Sequence, residues 1–185
     1  MGLEVRPLAI DDVLLIETKT FGDSRGSFCE TYNRKAFAEA GIVLDFVQDN
    51  HARSRERGTI RGLHYQMHPF AQDKLVRVVS GRILDVAVDI RRSSPTFGQT
   101  VTAQISAYDG LQILVPAGFA HGYCTLEPDT QIIYKVSDYY APQHEFGIRW
   151  NDPDLNIDWP VADADAHLSD KDRKLPLFAE VTQWL

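Results

Sequence analysis

Two histidines stand at fixed distances behind glycines. His64 follows Gly58 by six residues, and His121 closes the pattern G-x5-P-x-G-x2-H built on Gly110, Pro116 and Gly118. The Pro-x-Gly step makes a tight turn, and the strand after it carries His121. Imidazole takes and gives protons near neutral pH. Lys74, ten residues after His64, brings an ammonium that would repel a divalent cation. Arg53, Arg55, Arg57 and Arg61, interrupted by Glu56, read either as a nucleic-acid patch or as a loop near a phosphate pocket. The formal net charge of −7 favours the pocket. Cys29 and Cys124 lie far apart and match no metal-ligand spacing, which points to a reducing compartment without a disulfide framework.

The elements that must position these residues read as short strands. Val13 to Thr18 and Leu75 to Ser80 are apolar, β-branched runs. Arg82 to Arg91 alternates, with Leu84, Val86, Val88 and Ile90 on one face and Asp85, Ala87 and Asp89 on the other. Thr100 to Ser106, Leu111 to Val115 and Gln131 to Ser137 continue the series. Gly, Pro and Asp clusters separate them at the spacing of an all-β sandwich or barrel. Two stretches carry helix signals. Asn33 to Gly41 has a capping Asn and a terminal Gly, and Ser169 to Asp172 is a variant capping box.

Composition bounds the rest. The chain has 185 residues, 44% hydrophobic and 24% charged, which reads as one globular domain over 1–185. Positions 151–185 hold eight of the 26 acidic residues and three of the 19 basic ones, a Pro- and Asp-rich, less regular extension. The longest uncharged run, Gly110 to Leu126, is broken by Pro116 and is too short to span a bilayer. Met1 to Ile10 lacks an apolar core and reads as no leader. The expectation is a soluble, cytoplasmic protein that binds neither nucleic acid nor membrane.

The glycine–histidine spacings resemble the two signatures of the cupin superfamily, which implies an all-β jelly-roll barrel, a double-stranded β-helix. Gln66 replaces the second His of the first signature and Lys74 replaces its Glu. Those are metal ligands in cupins, so the departure argues against a metal. A barrel mouth holding His64, Lys74 and His121 suits an anion or a developing oxyanion instead.

Eight further motifs, in order, resemble the dTDP-4-dehydrorhamnose 3,5-epimerase family: FGDSRGSFCETY (21–32), QDNHARS (48–54), TIRGLHYQ (59–66), QDKLVRVVSGRILDVAVDIRRSSPTFG (72–98), VPAGFAHGY (115–123), YKVSDYY (134–140), WNDPDLNIDWP (150–160) and LSDKD (168–172). Tyr123, where Phe is frequent, and Met67-His68 before Pro69 are small departures. The resemblance implies a nucleotide-sugar substrate with a ketone at C4. The hydrogens at C3 and C5 are acidified by that ketone, so inversion needs a base, an enolate stabiliser and an acid on the opposite face, and no cofactor or metal. It assigns the base to His64, its carboxylate partner to Asp170, the oxyanion stabiliser to Lys74 and the acid to Tyr134, whose pKa nearby cations would lower. Arg25 and Arg61 would hold the diphosphate. Phe28 and Tyr140 would sandwich the base. Glu30, Gln48, Asp49, Asn50, His121, Glu145 and Lys171 complete the substrate-binding set, with Asp85 partnering His121. The family is a homodimer with exchanged N-terminal strands, so Arg25 to Glu30 would serve the partner's site. Three alternatives stand beside this reading: an epimerase of C3 or C5 alone, a non-catalytic nucleotide-sugar-binding cupin, and a metal-dependent cupin isomerase or dioxygenase.

Overall fold

The computed structural model describes residues 3–185; Met1 and Gly2, the first residues of the stretch read as no leader, lie outside them. In chain order the elements are β1 (Leu3–Pro7), β2 (Leu14–Thr18), β3 (Thr20–Asp23), β4 (Gly26–Cys29), α1 (Arg34–Glu39), β5 (Gln48–Ser54), β6 (Ile60–Gln66), β7 (Lys74–Ser80), β8 (Arg82–Asp89), β9 (Thr100–Ser106), β10 (Leu111–Val115), β11 (Phe119–Thr125), β12 (Thr130–Val136) and β13 (Glu145–Gly147). Antiparallel pairing gives a six-stranded sheet, β1-β2-β10-β7-β12-β5, a five-stranded sheet, β13-β6-β11-β8-β9, and the separate hairpin β3-β4.

The two large sheets face each other as a jelly roll. Val76, Val78, Ile113, Val115 and Ile132 of the first meet Ile83, Ala87, Val101, Ile105 and Phe119 of the second. Each fully buried aliphatic side chain contributes about 1.5–3 kcal/mol. The core fills one end of the barrel, and polar side chains occupy the other.

The alternation in β8 is present, and both of its faces are buried. Val86, Val88 and Ile90 point outward, where the C-terminal extension covers them with Leu155, Phe178 and Trp184. Asp85, Ala87 and Asp89 point inward. The extension has no strand; it crosses the outer face of the five-stranded sheet in short 3-10 turns. On the opposite side, α1 covers the six-stranded sheet by packing Phe37 on Ile16, Leu75 and Leu114. Asn33 caps α1, its Oδ1 accepting from the Lys35 and Ala36 amides.

Thr100–Ser106 and Leu111–Val115 form the expected strands, and those expected near β2, β7, β8 and β12 match within a residue or two. Strands β5 and β6 carry no clear apolar alternation. Alternate residues of β5 face a polar cavity, and Gly62 interrupts β6.

Candidate active site

The open end of the barrel is built around the pairing of β6 with β11. His64 pairs with His121, but Arg61 pairs with Tyr123, so two residues on β6, Gly62 and Leu63, oppose one on β11, Gly122. This bulge breaks the two-residue period of the strand. His64 and Arg61, three apart, would otherwise point to opposite faces; here both line one cavity. Gly62 sits at the bulge with φ +111°, and a Cβ there would lie 2.6 Å from the His121 carbonyl oxygen. No other residue type fits. At the mouth of β11, Gly118 has φ +95°, and a Cβ would meet Arg91 Cγ at 2.6 Å. The turn read from Pro116 and Gly118 therefore needs its glycine.

The cavity has two chambers. The first, ≈ 510 Å³, is lined by Arg61, His64, Lys74, His121, Tyr123, Tyr134 and, from the C-terminal extension, His167, Ser169, Lys171 and Asp172. The second, ≈ 320 Å³, is lined by Gln48, Asn50, Gln66, Gln72, Tyr140 and Glu145. His64, Lys74 and Tyr134 line both, so the three reactive side chains stand where the chambers meet.

His64 Nε2 lies 2.6 Å from Asp172 Oδ1, in place of the expected Asp170. Asp170 is exposed. The Asp172 amide donates to Ser169 Oγ at 3.1 Å, so the turn begun at Ser169 swings its fourth residue back toward the barrel. Its second residue, Asp170, is left in solvent. Burial pushes the Asp172 carboxyl up, but hydrogen bonds from His64 and Ser169 and the imidazole charge hold it below its ordinary value. Asp172 is thus an anion beside the imidazole.

Lys74 Nζ donates to the His64 carbonyl oxygen at 3.3 Å. Withdrawal of the ammonium from solvent pulls its pKa down to about 8, against the opposing pull of Glu145 and Asp85. For Tyr134 the expectation of a lowered pKa is corrected. Burial raises it, Arg61 offsets only part of that, and Glu145 adds to the rise. The phenol therefore stays protonated in the resting site, which is the state an acid needs. His121 Nε2 lies 2.9 Å from one oxygen of Asp85 and 3.0 Å from the other, on a fully buried carboxylate.

Arg61 reaches across the seam between the sheets. Its Nη2 donates to the Arg53 carbonyl oxygen at 3.2 Å and its Nε to Ser54 Oγ at 3.4 Å. On β5, Gln48, Asn50 and Ala52 share the inward face. Asp49, expected to touch substrate, is on the outward face, where it accepts from Lys135 Nζ at 2.8 Å. The period of two in this strand puts neighbours on opposite sides. In the second chamber Tyr140 donates to Glu145 at 2.7 Å, and Lys171 pairs with the same carboxylate oxygen at 2.6 Å. Lys171 lines the first chamber, so this ion pair bridges the two.

Gln66 was visible in the sequence only as a lost metal ligand. In the fold it is a clamp. Its Nε2 donates to the carbonyls of Phe70 at 2.7 Å and Tyr139 at 3.2 Å, and its Oε1 accepts from the Ala141 amide at 2.7 Å. A histidine could not make all three bonds. The amide thereby holds the loop that presents Tyr140.

Arg25, Phe28 and Glu30 lie on or just after the β3-β4 hairpin and line neither chamber. Arg25 pairs locally with Asp23, and Phe28 is 66% exposed.

A base backed by a carboxylate, a buried ammonium and a protonated phenol around one cavity suit proton abstraction next to a carbonyl with capture of the enolate. The comparisons point the same way. The family model described as dTDP-4-dehydrorhamnose 3,5-epimerase matches residues 7–180. The chain is 55% identical over 174 residues to the dTDP-4-dehydrorhamnose 3,5-epimerase of Pseudomonas aeruginosa, covering 94% of each. It superposes with a TM-score of 0.92 and 50% identity on the dTDP-4-dehydrorhamnose 3,5-epimerase of Bacillus anthracis, solved with TDP and PPi bound, covering 95% of this chain and 99% of that one. A second structure, the dTDP-6-deoxy-D-glucose-3,5-epimerase of Legionella pneumophila in complex with dTDP-4-keto-L-rhamnose, gives a TM-score of 0.92 at 44% identity, covering 97% and 95%.

Proposed function

The chain belongs to the dTDP-4-dehydrorhamnose 3,5-epimerase family, and we propose that it inverts C3 and C5 of dTDP-4-keto-6-deoxy-D-glucose to give dTDP-4-keto-L-rhamnose. The observation that carries this reading is the convergence of the Asp172-backed His64, Lys74 and Tyr134 where two chambers meet.

His64 takes the proton from the carbon next to the ketone. The C–H electron pair moves into the ring, and the C4 oxygen becomes an enolate oxygen. Asp172 stabilises the imidazolium so formed. Lys74 faces the new oxyanion, an interaction stronger in the transition state than with the neutral ketone. The enolate then returns its electron pair to the carbon and takes the Tyr134 hydroxyl proton on the opposite face. The carbon is inverted, and imidazolium and phenolate exchange protons with water before the second carbon reacts. Arg61 and Lys171 hold the diphosphate, and Gln48, Asn50, Tyr140 and Glu145 receive the nucleoside.

The protein acts in the cytoplasm as a homodimer. The β3-β4 hairpin pairs with neither large sheet of its own chain and exposes Phe21 and Phe28, which supports its insertion against a partner. Arg25, Phe28 and Glu30 then complete the partner's site.

The test is solvent exchange. The protein is incubated with the ketosugar nucleotide in D₂O, and C3 and C5 are followed by NMR. Deuterium at both carbons with inversion is expected; deuterium at one carbon alone overturns the double epimerisation. His64→Ala is expected to abolish exchange while dTDP still binds.

A further inference from the structure

A second imidazole–carboxylate pair, His121 with Asp85, enters the first chamber, and the reaction described above gives its carboxylate no task. Asp85 is fully buried on β8, opposite Tyr123 of β11. Among the described residues its only hydrogen-bond partner is His121. An anion at such a depth is costly unless a cation answers it.

Most of the other charges around the chamber have partners, and its rim also carries Arg173 and His167 of the C-terminal extension. Glu145, from β13, pairs with Lys171 and accepts from Tyr140. Asp172, from the C-terminal extension, is taken by His64 of β6. Arg61 is anchored to β5 and acts on the phenols of Tyr123 and Tyr134. Both phenols are raised by burial and stay neutral. Lys74, from β7, lines the same chamber as His121, whose Nε2 lies 2.9 Å from Asp85, and the charges of Glu145 and Asp85 oppose the loss of its proton to burial. Of these, Glu145 already has Lys171 as its cation, whereas Asp85 has only the His121 imidazole.

We propose that Asp85 is a positioning residue of this site, holding His121 as the Nε2–H tautomer with Nδ1 turned to the substrate and supplying the buried negative charge that complements the Lys74 ammonium. Lys74 is then a cation at the place where the C4 oxygen becomes negative. The role rests on the epimerase reading above.

The experiment is the pH dependence of kcat and kcat/KM for Asp85→Asn, with its fold checked by circular dichroism. The sign follows from the charge. Loss of the carboxylate makes Lys74 give up its proton more easily, so the alkaline limb moves to lower pH, by about one unit. At pH 8, kcat falls about fivefold while KM changes less than about threefold. A folded Asp85→Asn protein with an unmoved alkaline limb overturns the proposal, since a purely structural carboxylate would affect stability alone. A wild type that leaves the ketosugar untouched overturns the epimerase reading instead. The second measurement needs no variant. ¹⁵N-histidine spectra of the wild type are expected to show His121 as the Nε2–H tautomer through the alkaline limb, and the Nδ1–H tautomer there overturns the proposal.

Discussion

Asp172 and His64, 108 positions apart in the chain, lie 2.6 Å from each other because a turn in the C-terminal extension folds over the open end of the barrel. The base comes from a strand and its carboxylate from the covering segment. The extension therefore completes the site as well as covering the outer face of the sheet. Asp172→Asn is expected to lower kcat by about 10²–10⁴-fold, as loss of the carboxylate behind a catalytic imidazole does elsewhere. Asp170→Asn is expected to leave kcat within about twofold. Steady-state rates of the two variants decide between the neighbouring acids.

Lys74 predicts the alkaline limit of the enzyme. Its pKa of about 8 means that the ammonium is intact at pH 7 and is lost as pH rises through that value. The kcat/KM profile, which reports the free enzyme, should fall on the alkaline side with a midpoint near the same pH. Lys74→Ala is expected to cost on the order of 10²-fold or more in kcat, comparable to removing an oxyanion donor. A wild-type profile that stays flat to pH 10 would contradict this assignment.

Gln66 should separate binding from chemistry. Gln66→Leu removes the clamp on the Tyr139–Ala141 backbone and leaves buried polar groups unpaired, at a cost of about 1–3 kcal/mol. Tyr140 is then less well placed for the nucleoside. The expected result is a roughly tenfold weaker dTDP affinity by calorimetry and a matching rise in KM, about 1.4 kcal/mol, with kcat within about twofold.

Asp89 predicts acid sensitivity. It is fully buried and accepts from Arg91, Ser94 and Thr96, and Arg91 also pairs with Asp12 at 2.9 Å. Burial opposes ionisation, but these hydrogen bonds prevail and hold its pKa at about 2. A carboxylate depressed by folding contributes stability above its unfolded value, near 4, and loses it as pH falls toward 2. Asp89→Asn is expected to lower the unfolding free energy at pH 7 by about 2–3 kcal/mol in urea titrations. It should also flatten the loss of stability between about pH 4 and pH 2. Asp89 lines neither chamber, so kcat at 25 °C should not change.

Much of the fold was legible because well-buried strands reveal themselves as β-branched runs, as in Leu75 to Ser80, and strands with one exposed face as an alternation, as in Thr100 to Ser106. Strand β5 was not, because alternate residues of QDNHARS face a polar cavity and leave no hydrophobic period. The reactive trio of His64, Lys74 and Tyr134 was named from the resemblance of their motifs to the epimerase family, and the fold gathers all three around one cavity. Asp49 could not be placed from its motif, since the motif does not say which side of the strand the cavity lies on.

The sequence by itself determined which residue types arrive at the barrel mouth: an imidazole, an ammonium, a phenol and guanidinium groups, in the order of a nucleotide-sugar epimerase. Local chemistry also settled the turn at Gly118 and the cap at Asn33, because sterics and near-neighbour hydrogen bonds act over a few residues. Only the tertiary structure decided three other matters. The bulge at Gly62 brings Arg61 and His64 to one face, the Ser169 turn selects Asp172 over Asp170, and the inward side of β8 carries Asp85. Each depends on the register between segments far apart in the chain. Side-chain periodicity says which residues share a face, but register and covering segments decide which face is inside.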